Sequence, residues 1–252
     1  MPHSLNFSRL KTMFYVKLAL AVIWFMFCSV LTLVIALVRW RHPSNGYIFT
    51  RLFTKPVHWL IGMKVLIKNE DRLRANQPCI FIGNHQSNFD ILTHGCCYPP
   101  RTVAIGKKEL IWIPFFGILF LACGNIMLNR KNHEEAVRNL KTAEDDIVKK
   151  NMSVYIFPEG TRSRDAKHLL PFKKGPFHMA VNAQVPLVPI VATSVEPLID
   201  MKRRKFHAGT INIEVLEPIS TKGLTENNID ELISRAQTEM QAALDRISTT
   251  LD

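Results

Sequence analysis

A run of 21 uncharged residues near the start of the chain constrains the fold more than any other feature. Residues 18–38 are mostly apolar, and as a helix they would extend about 31 Å, the thickness of a bilayer core. The run is too long for the core of a signal peptide. Basic residues lie on both sides of it, so the positive-inside rule does not orient it. We predict a membrane-associated helix that either spans the bilayer or forms part of a helical hairpin in one leaflet.

The next stretch has the composition of an interfacial helix. Residues 47–62 interleave aromatic and aliphatic side chains with basic ones, a pattern typical of helices that lie at a membrane surface. Pro56 is expected to break or kink this helix. We therefore divide the chain into membrane-associating helices at residues 1–62 and a main domain at residues 63–252.

The main domain alternates between predicted strands and helices. Such alternation favours an α/β fold, here a mixed β-sheet flanked by helices and preceded by the apolar N-terminal segment. The predicted strands are residues 65–68, 79–83, 102–105, 153–157, 185–193 and 210–216, and the predicted helices are residues 132–150 and 229–247.

A second charge-free run, residues 111–128, is long enough to suggest another membrane span. Pro114, Gly117 and Gly124 interrupt it, and a crossing would place the later motifs on the opposite side from the earlier ones. We predict a buried helix followed by a buried strand.

The charge balance and the cysteines restrict the partners. The net charge is +11, from 32 basic and 21 acidic residues, which favours anionic partners. No nucleic-acid-binding pattern accompanies it, so nucleic acid is not predicted. The five cysteines lack Cys-x-x-Cys spacing and the nine histidines lack ligand spacing, so we expect reduced thiols and no metal site.

The segment at residues 84–90 carries a His and an Asp directly after a predicted buried strand. Five residues turn about 140° on an ideal helix, so His85 and Asp90 can meet only if His85 lies on the turn and Asp90 in the first helical turn. The carboxylate would then hold one ring nitrogen and leave the other as a general base. A solvated or purely structural pair is the alternative.

Arginines follow two other predicted strands. Arg130 ends one strand, and Arg162 follows another within residues 157–163, which also carry Glu159. Two guanidinium groups could bind a phosphate dianion in bidentate fashion. Alternatively, Arg130 could pair with Glu134, and Glu159 with Arg162.

Taken together, four stretches resemble the glycerolipid acyltransferase family, and within it the bacterial 1-acyl-sn-glycerol-3-phosphate acyltransferases. The matching positions are Asn84, His85 and Asp90, then Gly124 and Arg130, then residues 157–163, and finally Val185, Pro186 and Pro189. Residues 106–110 and 171–175 also look like the bacterial members.

The resemblance implies acyl transfer from acyl carrier protein or coenzyme A to the sn-2 hydroxyl of lysophosphatidic acid, which yields phosphatidic acid. It implies His85 as general base, oriented by Asp90, with no acyl-enzyme, cofactor or metal. Backbone N–H groups around Glu159, Gly160 and Thr161 would stabilise the oxyanion. The residues that would bind the phosphate and glycerol of the acceptor are Arg130, Arg162, Lys107, Lys108, Glu159, Gly160 and Thr161. Glu159 would contact the glycerol hydroxyl or support an arginine, and residues 111–128 would line an acyl-chain pocket.

The implied partners are lysophosphatidic acid, the carrier-protein or coenzyme A thioester, and anionic membrane lipids, at the cytoplasmic face of a bacterial inner membrane. Three other functions remain open. The first is an acyltransferase for another lysolipid or polyol-phosphate acceptor, the second is a thioesterase, and the third is a non-catalytic membrane adaptor.

Overall fold

The computed structural model describes residues 2–129, 132–163 and 165–249. The helices in these residues are α1 Pro2–Val38, α2 Asn45–Ile61, α3 Arg72–Ala75, α4 Asp90–Thr93, α5 Phe116–Ala122, α6 His133–Lys149, α7 Gly175–Ala183 and α8 Ile229–Ser248, with short 3₁₀ helices at His94–Cys97, Lys108–Trp112 and Glu226–Asn228. The strands are β1 Met63–Lys68, β2 Ile80–Gly83, β3 Thr102–Lys107, β4 Ile126–Leu128, β5 Ser153–Ile156, β6 Leu187–Ala192, β7 Ile199–Asp200, β8 Lys205–Phe206 and β9 Gly209–Val215.

Seven of these strands form one sheet in the order β1-β9-β6-β2-β5-β3-β4. Neighbouring strands are parallel except for β6 and β9, which are antiparallel. β7 and β8 pair separately as a two-stranded antiparallel unit. The predicted mixed sheet flanked by helices is therefore confirmed.

Each face of the sheet carries a buried apolar cluster. One cluster joins the sheet to α6, α7 and α8, and the other joins it to α2, α4 and α5. Ile80 and Ile82 of β2 belong to the first cluster and Phe81 to the second. Because β2, β5 and β6 are buried on both faces, they appear in the sequence as continuous apolar runs rather than alternating ones.

The N-terminal helices fold back as a hairpin along the second face of the sheet. Near the start of α1, the ring of Phe14 stacks on Phe206 of β8 with centroids 4.8 Å apart. Farther along, Phe25 packs edge-on against Phe49 and Phe53 of α2. Residues 11–38 are the one segment, among those described, that is long and apolar enough to cross a membrane.

The predicted break at Pro56 is wrong, since α2 runs through Pro56 to Ile61. The alternative, a kink, stays a prediction. A proline has no N–H, so the carbonyl of Leu52, four residues earlier, loses its usual helical donor. In the structure the indole N–H of Trp24, on α1, donates to the Leu52 carbonyl at 3.1 Å. The neighbouring helix therefore supplies the missing hydrogen bond.

Two sequence predictions about the N-terminal half need correction. α2 is not simply interfacial, because Phe49, Phe53, Val57 and Ile61 are buried in the same cluster as the sheet. Residues 1–62 and 63–252 consequently share one core. The charge-free run does form a helix and a strand, α5 and β4, but its first part is not buried. The exposed large side chains there are Ile111, Trp112, Ile113, Phe115 and Ile118.

Candidate active site

His85 and Asp90 meet at the carboxyl end of β2. Gly83 ends the strand, His85 lies on the following turn, and Asp90 is the first residue of α4. His85 Nδ1 lies 2.7 Å from Asp90 Oδ2. The structure thus meets the geometric condition that the sequence imposed on this pair.

Asp90 Oδ2 also accepts two backbone hydrogen bonds, from the N–H of Gln86 at 2.8 Å and of Ser87 at 3.0 Å. An oxygen that accepts from these donors is an unprotonated acceptor, so His85 Nδ1 carries the proton that it shares. His85 Nε2 is then an unprotonated acceptor. It hydrogen-bonds to none of the residues that the structure describes, and the His85 side chain is 25% exposed.

The ring of His85 is positioned by its neighbour on the next strand. β5 lies beside β2, and Phe157 follows β5 as His85 follows β2. The two rings stack with centroids 4.2 Å apart and an interplanar angle of 12°. The backbone of His85 is held as well, since its carbonyl accepts from the N–H of Ser163 at 2.7 Å.

Glu159 lies beneath His85 and bonds to backbone. One of its carboxylate oxygens accepts from the N–H of His85 at 2.7 Å, and the other accepts from the N–H of Leu170 at 2.9 Å. The residue is only 1% exposed. Burial raises the pKa of Glu159, and the two N–H donors act in the opposite direction. Among the described residues Glu159 pairs with no arginine and instead holds the turn that carries His85. Support of Arg130, which lies outside the described residues, stays a prediction.

A cavity of about 750 Å³ opens beside this pair, a size typical of small-molecule sites. His85, Asp90 and Phe157 line one part of it. The rest of its wall is mainly apolar and comes from α2, α5, β3 and the two 3₁₀ helices on either side of β3 with the residue that follows the first, and its side chains include Phe49, Tyr98, Ile105, Leu110, Phe116, Leu119 and Phe120. α5 therefore lines the apolar part of this cavity, as predicted for residues 111–128.

The cations predicted to bind phosphate differ in their surroundings. Lys107 and Arg162 line the cavity, and the Arg162 guanidinium donates to the side-chain oxygen of Asn88. Lys108 instead pairs with Glu135, Nζ to Oε1 at 2.9 Å. Arg130 lies outside the described residues.

The structure reduces the set of backbone N–H groups that could stabilise the oxyanion. The N–H of Gly160 donates to the carbonyl of Phe157 at 3.1 Å, so it is engaged in the turn. Gly160 adopts a φ of +71°, which favours glycine at this position. Glu159, Gly160 and Thr161 all line the cavity, and the N–H groups of Glu159 and Thr161 stay predicted donors.

The cavity also contains a thiol, which the structure makes unsuitable as a nucleophile. Burial raises the pKa of Cys123 to about 12, so the thiol stays protonated near neutral pH. Within the described part of the chain, no group of three His, Cys, Asp or Glu side chains could hold a metal ion.

Sequence reasoning missed three contributors to this site. Lys173 lines the cavity, and the basic pair at residues 173–174 was a signal for it. Asn84 was noted only as a motif residue, yet its amide exchanges two 2.9 Å hydrogen bonds with the backbone of Ala192, at the end of β6. Buried His94 also lines the cavity, and no local pattern marked it.

Comparisons with known proteins all match this chain to acyltransferases. The family model described as Acyltransferase matches residues 64–193. The 1-acyl-sn-glycerol-3-phosphate acyltransferase of Haemophilus influenzae is 38% identical over 86% of this chain and 88% of that protein. The enzyme of the same name from Escherichia coli is 33% identical over 89% and 90% of the two chains.

The similarity extends to a human relative and to a solved structure. The human 1-acyl-sn-glycerol-3-phosphate acyltransferase alpha is 34% identical over 94% of this chain and 83% of that protein. The crystal structure of the 1-acyl-sn-glycerophosphate acyltransferase from Thermotoga maritima covers 97% of both chains with a TM-score of 0.74 and 24% identity. That structure shows that the fold is shared.

Proposed function

The chain belongs to the acyltransferase family, and from this premise we propose that it acylates the sn-2 hydroxyl of 1-acyl-glycerol-3-phosphate to form phosphatidic acid. Relatives named for acylation of this acceptor match most of the chain. The observation that carries the proposal is the His85–Asp90 pair beside a largely apolar cavity. The apolar wall suits an acyl chain, and the pair suits activation of a hydroxyl.

The chemistry follows from the free nitrogen of His85. An alcohol is a poor nucleophile at neutral pH, so Nε2 takes the hydroxyl proton as the oxygen attacks the thioester carbonyl carbon. Asp90 stabilises the imidazolium that forms. When the C–S bond breaks, the imidazolium returns the proton to the departing thiolate. No covalent acyl-enzyme is required, and we expect no cofactor or metal.

The acceptor phosphate is assigned to the cations that line the cavity. Lys107, Arg162 and Lys173 carry exposed side chains at its solvent side, and Arg130 stays a predicted member of the group. The acyl donor is a thioester of acyl carrier protein or coenzyme A, both of which are anionic partners suited to the net positive charge.

We further propose that α1 lies along one leaflet rather than crossing the bilayer. The helix contacts the main domain near both ends: Phe14 stacks on Phe206, and the N–H of Arg41, just beyond α1, donates to the Ala122 carbonyl of α5 at 3.1 Å. These contacts are about 36 to 40 Å apart along the helix. A spanning α1 would therefore draw the main domain into the hydrocarbon.

The outer face of α1 is suited to a leaflet. Seven of its exposed apolar side chains recur at helical spacing in one stripe: Val16, Leu20, Ile23, Phe27, Val30, Val34 and Leu37. At one end of the stripe, Lys11 and the basic turn at residues 202–205 surround a shared depression. Basic side chains beside an apolar stripe favour anionic lipid headgroups, and a cytoplasmic-side location fits this placement.

The proposed reaction is tested by thiol release from acyl-coenzyme A and from acyl carrier protein by the detergent-solubilised chain. We expect release that depends on lysophosphatidic acid and that falls by several orders of magnitude in His85→Ala, while the melting temperature stays close to that of the wild type. Release without acceptor would instead indicate a thioesterase. Equal release by wild type and His85→Ala would contradict the mechanism.

Membrane attachment is tested by flotation with phosphatidylcholine vesicles. Ile23→Glu or Val30→Glu places a charge within the stripe and should reduce flotation. Val148→Glu, at a comparably exposed apolar position on α6, should float like the wild type. Full flotation of both stripe variants would contradict the proposal.

The orientation of α1 is tested by thiol labelling in vesicles. Cysteines introduced at Thr12 and Ser44, near the two ends of α1, should both react with an impermeant reagent added outside. Reaction at only one of the two sites would instead indicate a spanning helix.

A further inference from the structure

Beneath the catalytic ring lies a buried imidazole that the reaction does not use. His94 begins the 3₁₀ helix after α4 and is 4% exposed. Its Nδ1 lies 2.7 Å from the hydroxyl of Tyr155, on β5. The imidazole and the phenol therefore share a buried hydrogen bond.

The same ring supports the aromatic partner of His85. The edge of His94 meets the face of Phe157 at 5.2 Å with an interplanar angle of 80°, a favoured aromatic geometry. The ring of Phe157 in turn stacks on His85. His94 therefore supports the imidazole of His85 through the ring of Phe157.

His94 and Tyr155 are tightly packed against the end of β2. A Cβ added to Gly83 would lie 2.9 Å from the Tyr155 hydroxyl and 3.0 Å from His94 Cε1. Only glycine fits at the end of β2 without displacing them. Burial lowers the pKa of His94 to about 4, so the ring is neutral near pH 7.

We propose that His94 and Tyr155 are positioning residues, which hold Phe157 and thereby the stacked ring of His85, so that His85 Nε2 points at the reacting hydroxyl. The proposal rests on the acyltransferase function proposed above. Nothing in the acyl-transfer chemistry itself requires a second histidine, so the assignment goes beyond that function.

The test compares two variants, each of which removes one buried hydroxyl group. Tyr155→Phe removes the hydrogen-bond partner of His94. Thr221→Val is the control, because the buried Thr221 hydroxyl donates to the backbone carbonyl of Val185 at 2.8 Å and does not line the cavity. Both variants should lower the melting temperature by about 2–4 °C. We expect Tyr155→Phe to lower kcat about tenfold to a hundredfold, with KM retained, since small misplacements of a catalytic group have effects of this size. Thr221→Val should leave kcat unchanged.

A double variant separates positioning from stability. Tyr155→Phe combined with His94→Leu replaces both polar partners with apolar groups, which should recover much of the lost stability. The kcat should stay low, because the edge-to-face contact of His94 with Phe157 is absent. Recovery of kcat together with the melting temperature would overturn the proposal. A raised KM for the donor with kcat retained would overturn it too, since that result would assign the pair to the acyl chain.

A readout independent of turnover keeps this proposal separate from the acyltransferase function. The rate at which diethyl pyrocarbonate modifies His85, followed by peptide mass spectrometry, should rise in Tyr155→Phe and not in Thr221→Val, because a released ring is more accessible. Equal rates in the two variants would contradict positioning even in an active enzyme. An inactive wild type with the expected difference in rates would contradict only the proposed reaction.

Discussion

At the scale of single residues, Asp90 performs two tasks with one carboxylate oxygen. Oδ2 binds the imidazole of His85 and also the backbone N–H groups of Gln86 and Ser87. The catalytic turn and the orientation of the ring therefore depend on the same atom. A residue that only paired with the ring would not shape the turn.

Asp90→Asn tests the orienting role. The amide matches the carboxylate in size but cannot stabilise an imidazolium, and an NH₂ group turned toward His85 would select the wrong tautomer. We expect kcat to fall by about two to four orders of magnitude, measured as acceptor-dependent thiol release. Asp145→Asn, on the exposed face of α6, is the control and should retain full activity. Near-normal turnover of Asp90→Asn would contradict the role assigned to this carboxylate.

Arg162 is the described arginine among the predicted phosphate ligands. Arg162→Ala should raise the KM for lysophosphatidic acid with little change in kcat, because it removes binding that ground state and transition state share. Arg235→Ala, an exposed arginine on α8 paired with Glu239, should leave both constants unchanged. An unchanged KM in Arg162→Ala would move the phosphate site toward Lys107 and Lys173.

At the scale of elements, the α1–α2 hairpin shows how a donor on one helix can replace a hydrogen bond that is missing in another. Pro56 leaves the Leu52 carbonyl without its helical donor, and Trp24 supplies an indole N–H in its place. The hairpin is thus joined by a polar contact as well as by the aromatic packing of Phe25 on Phe49 and Phe53.

A double-mutant cycle tests this account. Trp24→Phe leaves the Leu52 carbonyl without a donor and should lower the free energy of unfolding by about 1–3 kcal/mol. In a Pro56→Ala background the new N–H of residue 56 can bond to the carbonyl of Leu52. Trp24→Phe should therefore lower the free energy of unfolding by a smaller amount in that background. We expect a coupling of about 1 kcal/mol in chemical denaturation. Strictly additive effects would show that the indole contact does not replace the helical bond.

At the scale of the whole molecule, buried histidines make stability depend on pH. The pKa of His94 is lowered by burial from its ordinary value of 6.5 to about 4. As the pH falls below 6.5, the unfolded chain gains a proton at this residue and the folded chain does not, so stability falls. Burial lowers the pKa of His58 in the same direction.

We therefore expect the free energy of unfolding to decrease between pH 6.5 and about 4, with a contribution from His94 of about 3 kcal/mol. Urea denaturation at several pH values would measure it. In His94→Gln the decrease over this range should be smaller, because the non-titrating side chain removes that contribution. Identical pH profiles for the two proteins would contradict the assignment to His94.

The sequence by itself determined much of this protein, because local patterns report local geometry and burial. Continuous apolar runs predicted β2, β5 and β6, and the spacing of His85 and Asp90 predicted a turn followed by the first helical residue. The order of the four motifs indicated the family. Each of these inferences needs only neighbouring residues or their type.

Tertiary structure decided which distant residues become partners. Phe157 meets His85 because β5 lies beside β2, about 70 residues away along the chain, with Ile156 opposite Ile82. Pro56 is tolerated because Trp24 comes from another helix. Glu159 accepts from the backbone N–H groups of His85 and Leu170 because its own loop folds under the turn that carries His85. Periodicity cannot specify such partners, since it shows that a side chain is buried and not what lies against it.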